Sequence, residues 1–365
     1  MKKMILRMAA WALAAICVCG GPVQAVGVSA QSAIVMDGDQ GQVLWEKNAD
    51  QKSLIASTTK IMTALVVLEH TSLDETVTVA PEAVGIEGSS MYLKAGEELT
   101  VADLLYGLML SSGNDAAVAL SIHVAGSPEE FAKLMNQKAQ ELKLPNAHFA
   151  NPNGLDSEEN YASARSLGLL AVAAMKNDDF RTIVSTKSYN CPEHCMTNHN
   201  KLLWQYEGAV GVKTGFTKHA GRILVGSAER DGRRLVSVTI NAPSDWSDHK
   251  QMLDYGFTCY SPQTLVTQGQ QVGFLEVISG TESQIPLVAT EDVSFSMLPG
   301  ESPELRVETE DFVYAPIAQG QAVGTLQVYV GDRMIGEQKV LAGAAVEQLP
   351  EEPDFWDKLK EKLPW

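Results

Sequence analysis

The chain is poor in cysteine, in clustered positive charge and in long apolar runs, and each shortage closes off a class of protein. It has 5 cysteines in 365 residues. Two of these, Cys17 and Cys19, fall in the first 25 residues, so a chain processed there would keep Cys191, Cys195 and Cys259. An odd count outside the cytoplasm is not a disulfide framework. Lys and Arg total 28 against 45 Asp and Glu, a formal net charge of −17. Nucleic acid selects for clustered cations, so it is excluded as a partner. The uncharged run Met8–Cys19 falls well short of the roughly 20 apolar residues that cross a bilayer. There is no internal repeat and no low-complexity tract. With 45% hydrophobic and 20% charged residues, the composition is that of a globular protein.

The amino terminus has an address written into it. Lys2, Lys3 and Arg7 precede the apolar run, and Val23-Gln24-Ala25 offers small residues at the −3 and −1 positions. This predicts a secretory signal peptide over residues 1–25, cleaved after Ala25. Ile16 and Val18 precede the two cysteines where a lipoprotein signal needs a small residue. Cleavage removes three cations and no acids, taking the net charge from −17 to −20.

Beyond the leader the texture changes once. Ala33–Met36 and Gln42–Trp45 flank Asp37-Gly38-Asp39-Gln40-Gly41, a hairpin signal. Ser57–His70 is nearly continuously apolar and suits a buried helix, and Thr100 is placed to cap a second over Val101–Leu110. An apolar segment Asp115–Val124 follows the break Ser111-Ser112-Gly113-Asn114. Ile223–Ala228 and Leu235–Ile240 read as paired strands across Arg230-Asp231-Gly232, and Ser244 could cap a helix through Tyr255. This mixture predicts an α+β domain over 26–260, an antiparallel sheet covered by helices. Short β-type runs broken by Gly and Pro then predict a small all-β domain over 261–346. Residues 347–365 read as a linker followed by a short helix, Asp354–Leu363, with Phe355, Trp356, Leu359 and Leu363 near one face.

Three short motifs carry chemistry. In Ser57-Thr58-Thr59-Lys60 a three-residue spacing on a helix puts hydroxyl and amine on one face. Serine is a poor nucleophile unless a base takes its proton, and lysine is that base only when neutral. Its pKa must therefore fall from about 10.4 through burial or a neighbouring cation. Ser112-Gly113-Asn114 supplies a hydroxyl to relay protons and an amide to fix a peptide, although Ser, Gly and Asn also suit a plain helix break. In Lys213-Thr214-Gly215 the cation would depress Lys60, the hydroxyl would bind a carboxylate, and Gly would admit substrate backbone. Each also has a bland reading, as helix cap, break or strand end. Their order and separation together are specific: S-x-x-K, S-x-N and K-T-G mark penicillin-binding proteins and class A β-lactamases. No metal and no cofactor is called for. Cys191-Pro192-Glu193-His194-Cys195 with His199 has ligand types but no zinc spacing, which leaves a short local disulfide or two free thiols. Cys259 suits a small core position.

With these stretches together, the chain resembles the low-molecular-weight penicillin-binding proteins, serine D-alanyl-D-alanine carboxypeptidases of the secreted bacterial type. The likeness is carried by Leu54–Leu65, Gly88–Met91, Ser112–Ala116, Asn151–Asp156, Asn198–Leu203 and Val212–Thr217. It implies the penicillin-binding/β-lactamase-like transpeptidase fold and an acyl-enzyme on Ser57. Lys60 is then the base and Ser112 the relay, and Asn114 holds the peptide. Lys213, Thr214 and Gly215 serve the terminal carboxylate and backbone, and the N–H groups of Ser57 and Phe216 form the oxyanion hole. The implied substrate is a peptidoglycan stem peptide ending in D-Ala-D-Ala, and β-lactams are implied covalent inhibitors. Two departures stand out. His199 occupies a place where arginine often helps to bind the carboxylate, which makes that contact weaker or pH-dependent. Ile55 replaces a common proline before the catalytic Ala-Ser, which alters only how the turn enters the helix.

Two rival classes share parts of this pattern. A β-lactamase needs a glutamate that activates water; Glu158 and Glu159 lie in the right interval without a matching E-x-x-L-N context. A silent wall-binding protein could dispense with Ser57, Lys60 or Lys213, and all three are present. In relatives the terminal helix lies on the membrane. Here three acids and three lysines balance over 354–365, so only weak attachment to the outer face is expected.

Overall fold

In the computed structural model, residues 3–9, 26–297 and 301–350 are described. The chain divides between Tyr260 and Ser261 into two compact units, each with its own apolar core.

The larger unit is built on a five-stranded antiparallel sheet. Strands β1 (Ser32–Asp37) and β2 (Val43–Lys47) form the expected hairpin. The helices α1 (Lys60–His70), α2 (Val101–Leu110), α3 (Asn114–Ala125), α4 (Pro128–Glu141), α5 (Ala164–Ala174) and α6 (Asp178–Ser185) follow. A small hairpin, β3 (Ser188–Cys191) and β4 (His194–Thr197), precedes β5 (Ala209–Thr217), β6 (Gly221–Arg230) and β7 (Arg233–Ile240), and α7 (Asp245–Cys259) closes the unit. The strand order is β5-β6-β7-β1-β2.

Every residue of β1 is buried because both faces of the sheet are covered. Alternation assigns the faces: an added Cβ at Gly168 of α5 would meet Ile34 and Met36, and one at Gly256 of α7 would meet Val35, Leu44 and Leu235. The two glycines thus let each helix lie close to the sheet. Thr100 caps α2 as its sequence predicts, in a capping box with Asp103. Ser244 precedes α7 but accepts no capping hydrogen bond through its side chain. Lys213-Thr214-Gly215 lies inside β5 rather than at its end, and β5 is an edge strand, which leaves one side free for a ligand.

The smaller unit is all β. Its strands are β8 (Ser261–Val266), β9 (Gln271–Ile278), β10 (Gln284–Ala289), β11 (Val293–Met297), β12 (Pro303–Glu310), β13 (Phe312–Tyr314), β14 (Ala322–Val330) and β15 (Arg333–Ala342). The larger of its two sheets runs β12-β14-β15-β10-β9-β13, and β8 pairs with β11. A further strand, Lys3–Ala9, pairs antiparallel with β12. It belongs to the stretch read as a signal peptide, the rest of which lies outside the described residues, as does the tail helix expected over Asp354–Leu363. Among the described residues no helix is long and apolar enough to cross a membrane.

Candidate active site

Ser57 sits on a 3₁₀ turn, Ala56–Thr59, that runs directly into α1. The residue before it, Ala56, has φ of +44°, and Ser112 has φ of +61°. Non-glycine residues in the left-handed region cost of order 1–3 kcal/mol and persist where surrounding structure enforces them. Both serines are therefore presented from turns held by their neighbours.

Lys60 follows one turn later and is fully buried. Its ammonium nitrogen lies 3.1 Å from Ser57 Oγ and 2.6 Å from Asn114 Oδ1. It also donates to the backbone carbonyl of Asn153. Burial, reinforced by the charge of Lys213, holds Lys60 well below the ordinary lysine value, and Asp115 opposes this in part. Lys213 is 1% exposed, donates to Thr214 O at 3.0 Å, and is brought down to about 7 by burial. The expectation that a second cation would sit near Lys60 and depress it is met by this pair.

Asn114 opens α3, with its Oδ1 taken by Lys60 and one Nδ2 hydrogen donated to Glu87 O at 2.5 Å. Its second Nδ2 hydrogen remains for a ligand. Ser112 is 5% exposed and lines the same cleft as Ser57; its hydroxyl makes no hydrogen bond among the described residues. Gly215 places β5 on the nucleophile turn: an added Cβ there would come within 3.3 Å of Ser57 N.

The cleft has a volume of about 350 Å³ and is lined by Ser57, Ser112, His199, Thr214, Gly215 and Phe216 among others. Eight of the nine residues singled out from sequence thus meet at the cleft or at Lys60 directly, and Lys213 joins them through its charge on Lys60. His199 is reached from the backbone: Asn198 is buried and donates to Val184 O and Thr186 O, and His199 N donates to Leu110 O. Partial burial first, then Lys213, lower its pKa below the usual histidine value, so it is neutral near pH 7.

Several participants have no place in the sequence-based set. The loop Asn151–Leu155 folds on its own side chains, with Asn151 Oδ1 accepting from Gly154 N and Asn153 Oδ1 from Leu155 N. It delivers Asn153 O to Lys60 and Pro152 O to Thr63. The far wall of the cleft holds Lys201, Arg222, Asp245 and Trp246. Arg222 grips buried Asp245 through three hydrogen bonds. A hairpin reading of Lys213–Ile223 would have found Arg222, because it stands opposite Phe216 across β5 and β6. Asp245 is the one carboxylate among the described residues lining the cleft, and Glu158 and Glu159 are exposed elsewhere. Among the described residues no glutamate lines the cleft, where a class A β-lactamase requires one to activate water.

Cys191, Cys195 and Cys259 are free thiols. Cys191 pairs across the hairpin with His194, and Cys195 pairs with Asn190, so the two thiols lie on opposite faces. Cys191 packs on the core, where burial pushes its thiol up to about 11. His194 is held by Glu97 at 2.7 Å and Met91 O at 3.1 Å.

The sequence and the fold have counterparts among known proteins. The family described as D-alanyl-D-alanine carboxypeptidase matches residues 21–244, and the penicillin-binding protein 5 C-terminal domain matches residues 260–348. The chain is 34% identical over 329 residues to the D-alanyl-D-alanine carboxypeptidase DacF of Bacillus subtilis, covering 86% of this chain and 85% of the relative. It is 37% identical over 255 residues to a D-alanyl-D-alanine carboxypeptidase of Streptomyces sp. strain K15, covering 63% of this chain and 88% of the relative. Among solved structures, penicillin-binding protein 5 from Haemophilus influenzae superposes with a TM-score of 0.77 at 29% identity, covering 88% of this chain and 98% of that one.

Proposed function

Because the chain belongs to the D-alanyl-D-alanine carboxypeptidase family of serine peptidases, we propose that Ser57 is its nucleophile and Lys60 the base that activates it. The enzyme is a serine hydrolase that removes the terminal D-alanine from a D-Ala-D-Ala peptide. The contact that supports this assignment is the 3.1 Å approach to Ser57 Oγ of a buried lysine held well below the ordinary lysine value, beside a second buried lysine.

The steps follow from the placement of the groups. Lys60 takes the hydroxyl proton as Ser57 Oγ attacks the carbonyl carbon between the two D-alanines. The oxyanion is met by the backbone N–H groups of Ser57 and Phe216, which need no reorganisation as charge develops. The intermediate collapses by breaking the C–N bond, and Ser112, with an uncommitted hydroxyl, passes a proton to the departing amine. Asn114 binds the donor peptide through its remaining N–H. Lys213, Thr214 and His199 receive the terminal carboxylate, and Gly215 lets substrate backbone lie against β5. His199 acts there as a neutral hydrogen-bond donor near pH 7. Water then releases the acyl-enzyme. A β-lactam enters by the same attack and stays, since its leaving nitrogen remains tethered to the acyl group and keeps the place that departing D-alanine would clear for water, and among the described residues no glutamate lines the cleft to speed hydrolysis.

The same reading places the enzyme outside the cytoplasmic membrane, exported by residues 1–25 and held weakly at the outer face by residues 354–365. Its substrate is the stem pentapeptide of peptidoglycan. Fluorescent penicillin should label the chain stably, and Ser57→Ala should abolish both the label and D-alanine release from a pentapeptide. Rapid label turnover would mean a β-lactamase, and labelling that survives Ser57→Ala would remove Ser57 from the mechanism.

A further inference from the structure

The outer face of β9 and β13 in the C-terminal unit is apolar and open. Alternation along β9 points Phe274, Glu276 and Ile278 outward, with Phe274 54% and Ile278 37% exposed. Strand β13 pairs parallel to it, setting Phe312 beside Glu276 and Tyr314 beside Ile278. Tyr314 is 65% exposed, and the rings of Phe312 and Tyr314 meet edge to face at 5.4 Å. Clustered aromatic exposure of this kind marks a surface that is covered in use.

The chain itself leads to this face. Gln348 bridges Gly280, and Leu349 N donates to Ser279 O at 2.9 Å, immediately beyond the end of β9. Fifteen residues follow Pro350. Those residues include Phe355, Trp356, Leu359 and Leu363, which the sequence reading puts near one face of a helix, and Lys358, Lys360 and Lys362 balanced by Asp354, Asp357 and Glu361. The five residues from Leu349 to Asp354 reach at most about 17 Å, and a ten-residue helix is about 15 Å long. From Phe274 to Ile278 the strand covers about 13 Å, so the segment is short enough to fold back and long enough to cover the patch. Glu276 lies on the same outward row, between Gln284 of β10 and Phe312 of β13.

We propose that this face is the seat of the chain's own terminal segment, residues 354–365, whose apolar side covers Phe274, Ile278 and Tyr314. The tail then has one apolar side and two places to put it. Docking on the sheet withholds it from lipid and weakens attachment by the fraction of molecules so occupied. This rests on the sequence reading of the tail as an amphipathic helix and is independent of the chemistry at Ser57.

Photo-crosslinking decides it. With p-benzoylphenylalanine at Tyr314 in dilute, lipid-free protein, adducts should map to residues 354–365 of the same molecule. Adducts in a dimer, adducts elsewhere in the chain, or none would overturn the proposal. The double variant Phe274→Asp, Tyr314→Asp should raise co-sedimentation with phosphatidylglycerol/phosphatidylethanolamine vesicles about three- to tenfold, by freeing the tail. Unchanged or reduced binding would overturn it, reduced binding meaning that the face itself touches lipid. If no form binds vesicles, membrane attachment fails, and the crosslink still decides the docking.

Discussion

Lys60 and Lys213 share one problem, a positive charge with nowhere to be solvated. Both are buried to 1% exposure or less, and both are pushed below the ordinary lysine range. Their titrations are coupled, so the protons leave in two steps that belong to the pair. The state with Lys60 neutral and Lys213 charged is the productive one, since it provides a base and a cation for the carboxylate together. Acylation by a β-lactam should therefore follow a bell-shaped pH profile. The alkaline limb lies near pH 7, where Lys213 loses its proton, and the acid limb marks protonation of Lys60. Removing Lys213 removes a charge that lowers Lys60, so Lys60 gains protons more readily. In Lys213→Gln the acid limb should move to higher pH while the maximal rate falls. Stopped-flow acylation across pH 4–10 reads both, and an acid limb that does not move would take Lys60 out of the base role. The dyad was legible in the sequence because a serine and a lysine three residues apart announce a shared helix face, and K-T-G is a short, distinctive string. The backbone carbonyl of Asn153, which completes the lysine's surroundings, was not: a carbonyl belongs to every residue and carries no signature in the sequence.

At the scale of elements, the nucleophile turn depends on a loop nearly a hundred residues away. Gly154 has φ of +85°, and a Cβ there would stand 2.1 Å from the carbonyl oxygen of Ala56 and 3.0 Å from the nitrogen of Ser57. Both contacts are backbone, so neither can swing aside. Gly154→Ala should destabilise the chain by about 2–3 kcal/mol and slow penicillin acylation about 100-fold, since a displacement near 1 Å can cost that much. Thermal unfolding and acylation kinetics measure the two effects, and an alanine variant with undiminished acylation would mean that the loop does not set the turn. The same scale shows why some elements were readable and others not. The cap at Thr100 and the hairpin of β6 and β7 use residues whose local preference agrees with the fold. The β3–β4 hairpin turns through Pro192 and Glu193, with Glu193 at φ of +62°, where a glycine or asparagine would have advertised it. Strand β5 reads poorly because its central Lys-Thr-Gly suits a ligand rather than a core.

For the molecule as a whole, the relevant fact is two cores rather than one. One gathers residues from Ile34 to Ile240 and the other from Leu265 to Val346. The Streptomyces carboxypeptidase is matched over 88% of its own length by only 63% of this chain, so in that relative the carboxypeptidase name is borne by a chain close in size to the larger unit alone. Separate cores unfold as separate cooperative units, and a ligand stabilises only the unit that binds it. Calorimetry of the full chain should accordingly show two transitions. Acylation with penicillin should raise the transition of the catalytic unit and leave the other in place. A fragment of residues 26–260 should reproduce the first transition and retain D-alanine release. A single transition shifted as a whole by penicillin, with a 26–260 fragment that does not fold, would mean that the catalytic core depends on the β unit for its stability. That outcome would make the second domain part of the enzyme's architecture rather than a module joined to it at Tyr260.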